Sequence, residues 1–138
     1  VNVLFDTNVV LDLLLDRAPH AEFAAALVAR VERGELAGYL CATTITTVFY
    51  LAAKAIGSQA ARQQIEQLLK LFEVAPVTRS VLEDALQAGF SDLEDAVLYM
   101  AARQVGAQCL VTRNTKDFKL AEIPIYQPHE FEAVLRSS

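Results

Sequence analysis

Apolar positions recur along the chain with two different spacings. Helical spacing predicts helices over about 21–33, 43–56, 58–71, 80–88, 91–105 and 128–135, with a shorter one after Asn8. Between them stand short strand-like runs at Val1–Phe5, Leu36–Leu40, Glu73–Val77 and Gln108–Thr112, with a weaker candidate at Ile123–Tyr126. Punctuation agrees with this division. Gly34, Gly57, Gly89 and Gly106 each follow a helical run, where a left-handed C-cap is expected. Ser80-Val-Leu-Glu83 and Ser91-Asp-Leu-Glu94 match the capping box, and Pro128 suits a first helical turn.

Strands alternating with helices imply an α/β fold: a mostly parallel sheet of four to five strands with helices on both faces, because parallel neighbours need right-handed helical crossovers. No repeat, low-complexity tract or linker interrupts the pattern, so residues 1–138 are expected to form a single domain. With 54% apolar residues the chain has ample material for a core. No run approaches the roughly 20 apolar residues of a membrane span. Val1–Phe5 leads at once to Asp6, without the basic start of a secretory signal, and a cytoplasmic location is the expectation. Cys41 and Cys109 lie far apart in apolar stretches and read as reduced core residues.

In an open α/β sheet, ligands bind beyond the carboxyl ends of the strands, which gives weight to residues that directly follow one. Asp6 is such a residue. It either caps the next helix or is free for chemistry, since Thr7 and Asn8 also offer capping groups. The helix of 91–105 runs down the sheet toward Gln108–Thr112, so its start lies at the same edge and carries Asp92, Glu94 and Asp95. Acids there complement the helix dipole, and Glu94 fits a capping partner, but three acids in four positions exceed what a cap needs. Asp95 is the preferred ligand and Asp92 the second. After Gln108–Thr112, Asn114 and Asp117 reach that edge too. Oxygen donors with no Cys pair and only the isolated His20 and His129 suit Mg²⁺ or Mn²⁺ better than zinc. A formal charge of −5 opposes indiscriminate nucleic-acid binding, so any such contact is local, and Arg113, Lys116 and Lys119 form the one concentrated basic segment beside these acids.

The segments Leu-Phe-Asp-Thr-Asn-Val-Val-Leu-Asp, Asp92-Leu-Glu-Asp95-Ala-Val-Leu-Tyr-Met-Ala-Ala and Leu-Val-Thr-Arg-Asn-Thr-Lys-Asp-Phe, in this order, resemble the PIN-domain nucleases, and among them the small bacterial VapC-type toxins. The resemblance covers nearly the whole chain. It implies a three-layer PIN-like fold and a Mg²⁺- or Mn²⁺-dependent endoribonuclease cutting single-stranded RNA. It further implies a homodimer held inactive by a small antitoxin protein. The family's first acid falls on Asp6 and its principal helix acid on Asp95, the two implied metal ligands. The acid usual after the last of these strands falls on Asn114, with Asp117 three residues later. The second acid of the family falls on Thr47. Asp92 and Asp117 would assist through water or as base, Asn114 would orient a ligand, and Arg113, Lys116 and Lys119 would contact RNA phosphates. Two other readings share these residues: a binding module with a depleted site, and a phosphotransfer enzyme with Asp6 as nucleophile.

Overall fold

Val3, Leu4 and Phe5 have no solvent exposure at all. Their strand, β1 (Asn2–Phe5), is the centre of a five-stranded sheet, and a parallel strand covered on both faces needs apolar side chains on each. The computed structural model describes residues 1–138. Beside β1 run β2 (Ala37–Cys41), β3 (Glu73–Ala75), β4 (Cys109–Val111) and β5 (Ile125–Tyr126), in the order β3-β2-β1-β4-β5, with every neighbouring pair parallel. Leu4 stands opposite Tyr39 on one side and Leu110 on the other.

Helices supply every long crossover. α1 (Thr7–Leu14) and α2 (His20–Glu32) join β1 to β2, α3 (Ala42–Ile56) and α4 (Ser58–Leu71) lead to β3, and α5 (Arg79–Gln87) with α6 (Leu93–Gln104) carries the chain across to β4. A 3₁₀ turn at Thr115–Phe118 precedes β5, and α7 (Pro128–Arg136) ends the chain. All five expected strands form, each within a few residues of its expected bounds.

Strand alternation sorts the apolar residues into two cores. Val3, Phe5, Leu40 and Val111 face one layer with Val9, Leu27, Val48, Leu68 and Phe131. Leu4, Cys41, Ala75 and Leu110 face the other with Val81, Ala96, Leu98, Ala101 and Phe118. Cys41 and Cys109 are therefore buried in different layers, unbridged, and burial pushes the Cys109 thiol up to about 11. Gly38 is required by packing, because a Cβ there would stand 2.7 Å from the Phe72 ring. That ring meets Phe5 edge-on at 5.7 Å. Arg30 of α2 makes a two-pronged pair with Glu132 at 2.9 and 3.0 Å and pins α7 to the body.

Two capping expectations need correction. α5 is capped by Thr78, whose hydroxyl accepts from Val81 N–H at 3.2 Å, so the helix begins before Ser80. α6 is capped by Asp92, not Ser91: its Oδ1 accepts from Glu94 N–H at 2.8 Å and Asp95 N–H at 3.3 Å. Carboxylate oxygens accept strongly from backbone N–H groups, and Asp92 lies one residue nearer the apolar run. Of the expected left-handed caps, Gly57 departs, with a ψ of 156°. Gly34, Gly57, Gly89 and Gly106 all lie at positive φ, and Gly57, at 91°, turns α3 directly into α4. No helix is long and apolar enough to cross a membrane.

Candidate metal-binding edge

Leaving β1, the chain builds outward through β2 to β3 and then crosses back to β4 on the opposite side of β1. The order reverses between β1 and β4, and connections there depart in opposite directions, so a crevice opens at the carboxyl ends of these two strands. Asp6 leaves β1 at this crevice and Thr112 leaves β4 beside it, tied by the bond from Asp6 N–H to Val111 O at 2.9 Å.

Asp6 is the N-cap of α1, a role the sequence left open and also offered to Thr7 and Asn8. Its Oδ1 accepts from Thr7 N–H at 2.7 Å, while Oδ2 accepts from the wholly buried Thr112 hydroxyl at 2.7 Å. Asn8 bridges the two strand ends. Its Nδ2 donates to Asp6 Oδ2 and Thr112 Oγ1, both at 3.4 Å, and its Oδ1 accepts from Arg113 N–H at 3.3 Å. Asn114 N–H closes the loop by donating to Thr112 Oγ1 at 3.1 Å. Both ends of the crevice are thus fixed by side chains that orient one carboxylate.

Burial holds the Asp6 carboxyl above its ordinary range, partly offset by the bonds from Thr112 and Thr7 and reinforced by the charges of Glu94 and Asp117. Asp95, in the first turn of α6, is pushed up to about 7, first by desolvation and then by Asp92, Asp6, Asp117 and Glu94. Four carboxylates from three segments therefore act on Asp95 at this edge. The Asp95 carboxylate accepts no hydrogen bond within the chain, and Asp117 is exposed in the 3₁₀ turn. No group of three or more His, Cys, Asp or Glu side chains is already placed to hold a metal ion. The donor set nevertheless fits a hard cation that keeps most of its waters, because Mg²⁺ is commonly held by one or two carboxylates plus substrate phosphate. Mutual repulsion among acids is the charge pattern such a cation relieves.

The basic segment divides. Arg113 donates through Nε and Nη2 to Asp12 at 2.6 and 3.2 Å, and Asp12, 1% exposed, also accepts from Arg17 at 2.9 Å. Arg113 thus already has an anion in Asp12, while its side chain keeps 29% exposure. Lys116 and Lys119 are exposed and unpaired.

On α3, Thr44 is buried and its hydroxyl shares a 2.9 Å bond with Thr7, beside Asp6. Thr47 follows it by three positions, half-buried on the adjoining helix face. Sequence reasoning passed over Asp12, Thr44 and Thr112. Asp12 carried a signal, since it interrupts the apolar run Val9–Leu15. Thr44 and Thr112 carried none, as threonine is ordinary at strand and helix ends.

The model of the PIN domain matches residues 2–116. Ribonuclease VapC1 of Aquifex aeolicus (strain VF5) is 25% identical over 134 residues, 94% of this chain and 92% of that protein. Among solved structures, a toxin-antitoxin complex from Klebsiella pneumoniae superposes with a TM-score of 0.69 at 26% identity, covering 93% of this chain and 98% of its counterpart. VapBC2 from Rickettsia felis, bound to a DNA fragment from its promoter, gives a TM-score of 0.70 at 13% identity over 92% and 98%, a likeness of fold alone.

Proposed function

The chain belongs to the PIN-domain family, and from that premise we propose that it is a Mg²⁺- or Mn²⁺-dependent endoribonuclease that cuts single-stranded RNA as the toxin of a toxin–antitoxin pair. One observation carries the reading. Asp6 follows β1 at the β1/β4 switch point and its charge acts on Asp95 in the first turn of α6, together with three further acids, with the Asp95 carboxyl raised to about 7 and no arginine or lysine paired with either. Asp6 and Asp95 would hold the ion, which when bound polarises the scissile phosphate and acidifies a water.

The chain's own residues supply orientation and proton traffic. Thr112, Thr7 and Asn8 aim the Asp6 carboxylate. Asp117, exposed beside the pair, acts as base or through water on the attacking oxygen, Asp92 assists from the cap of α6, and Asn114 orients a ligand by its amide. Lys116 and Lys119 meet RNA phosphates. An antitoxin and a second copy of the chain are the proposed protein partners. Apolar surface left open at Tyr50, Ile56 and Leu69 on the α3–α4 pair suits such a partner.

Asp95→Asn decides the catalytic reading. With Mn²⁺ present, cleavage of a single-stranded RNA should fall by more than the 10–100-fold that loss of an outer-shell partner costs, because a direct ligand is removed. Retention of full activity would sink the assignment. The absence of a ready three-ligand group, with Thr47 and Asn114 in place of acids, favours one alternative, a PIN-fold binding module. That alternative predicts no cleavage by the unsubstituted chain at any Mn²⁺ concentration.

A further inference from the structure

The chain has twelve lysines and arginines. Seven arginines stand in ion pairs, and Lys54 and Arg62 lie over the rings of Tyr50 and Phe49. Only Lys70, Lys116 and Lys119 have neither kind of partner, and two of these three flank one cleft. It measures about 460 Å³, within the roughly 300–1,000 Å³ usual for ligand pockets. Phe90 and Ser91 form one wall and Lys116, Asp117 and Lys119 the other.

The cleft adjoins the acid cluster through Asp117. Asp117 lines it and acts electrostatically on Asp6 and Asp95, while Ser91 immediately precedes the Asp92 cap. The Phe90 wall is firm, since its ring stacks on Tyr99 at 5.4 Å and meets Phe118 edge-on at 6.1 Å. Two lysines without an ion pair, on a wall that also carries Asp117 and facing the apolar ring of Phe90, match a phosphodiester with its ribose. In a chain of net charge −5, contact with a polyanion must be local, and two of the three cations without a partner stand at this cleft.

We propose that the cleft between the α5–α6 turn and the 3₁₀ turn seats the RNA backbone flanking the scissile phosphate, with Lys116 and Lys119 as its cation wall. This rests on the nuclease reading and deepens it: Arg113 is bound to Asp12 and drops out of the contact set, while the unsuspected wall at Phe90 and Ser91 enters it. The strand thus leaves the acid edge toward α5, not across the α3–α4 pair.

The test uses the full chain and a labelled single-stranded RNA oligonucleotide. Binding is measured on Asp95→Asn across a salt series, and KM and kcat on the chain that retains Asp95. Joint Lys116→Gln and Lys119→Gln should flatten the slope of log K against log salt by about 1.4, two contacts at about 0.7 each for a single strand. It should also raise KM by about tenfold with kcat unchanged. Ser91→Glu, which puts an anion on the opposite wall, should weaken binding in the same direction, and Lys70→Gln should change nothing. A salt slope and KM unaltered by the lysine pair, with RNA still bound and cut, would overturn the cleft and leave the nuclease standing. Failure of the unsubstituted chain both to bind and to cut RNA overturns both.

Discussion

Asp12 and Asp95 lie at the same end of the molecule and are treated in opposite ways. Asp12 is almost wholly buried and receives two arginines, Arg17 and Arg113, while Glu132 across the fold receives Arg30 and Arg136. The Glu132 carboxyl is accordingly held below its usual range by the bond from Arg30. Asp95 has only other acids for company, and its carboxyl rises to about 7. Where a carboxylate serves the fold, the chain supplies its cation. Where the cation is missing, the charge is left for something external, and proposing a metal ion at Asp6 and Asp95 follows from that contrast.

Breaking the compensated side should have the largest effect on stability. Asp12→Ala removes the buried anion that holds two arginines, and losing one partner of a buried pair costs about 3–5 kcal/mol. Arg17 and Arg113 keep 41% and 29% side-chain exposure, which places the loss near the lower bound, at about 3 kcal/mol by denaturant titration. A loss under about 1 kcal/mol would show that the network is ornamental. The loop carrying Thr112 and Asn114 should loosen with it, so cleavage should fall even in protein that remains folded.

Adding an acid to the uncompensated side sharpens the contrast from the other direction. Thr47→Glu is expected to tighten Mn²⁺ about tenfold, since ligand charge count governs affinity in all-oxygen sites, and to lower stability without metal. Calorimetric titration measures the first and thermal unfolding the second. Unchanged affinity, in a chain where Asp6→Asn abolishes binding, would show that this face of α3 does not reach the ion.

The last expected effect, damped by solvent because Asp95 is only half-buried, concerns pH. Because the folded Asp95 carboxyl has a raised pKa, the folded state binds more protons than the unfolded state, and stability falls as pH rises from about 4 to about 7. Asp95→Asn removes that dependence. Without metal, the variant should match the parent below about pH 4 and grow relatively more stable up to about pH 7, with a constant margin above. A margin that shrinks with rising pH would reverse the sign and show Asp95 to be stabilised in its charged form.

Much of the fold was legible in the residues. Val3-Leu4-Phe5 reads as a buried strand because three consecutive apolar residues can be satisfied only with cover on both faces. Gly34, Gly57, Gly89 and Gly106 marked the helix ends, since a positive φ is costly for any residue with a Cβ. The caps were less legible: Thr78 and Ser80, or Ser91 and Asp92, are chemically equivalent until the helix axis is placed. At the site, Asp6, Asp92, Asp95 and Asp117 could be nominated because strand order puts residues after β1 and β4 at one edge. Their mutual influence appears only when α6 has crossed the sheet and brought its first turn there.

What the sequence by itself determined was therefore the local grammar: which segments are strands, which are helices, and which carboxylates follow a strand or start a helix. Those are decided by periodicity and backbone propensity over a few residues. Tertiary structure alone decided which charges are compensated. Arg113 and Lys116 are three apart in one basic segment, yet one is bound to a buried aspartate 101 positions away and the other stands open at a cleft. The physical reason is range. Propensity acts along the chain, whereas a guanidinium finds its carboxylate through space, and only the packing of α1 against the loop after β4 settles which cation stays free.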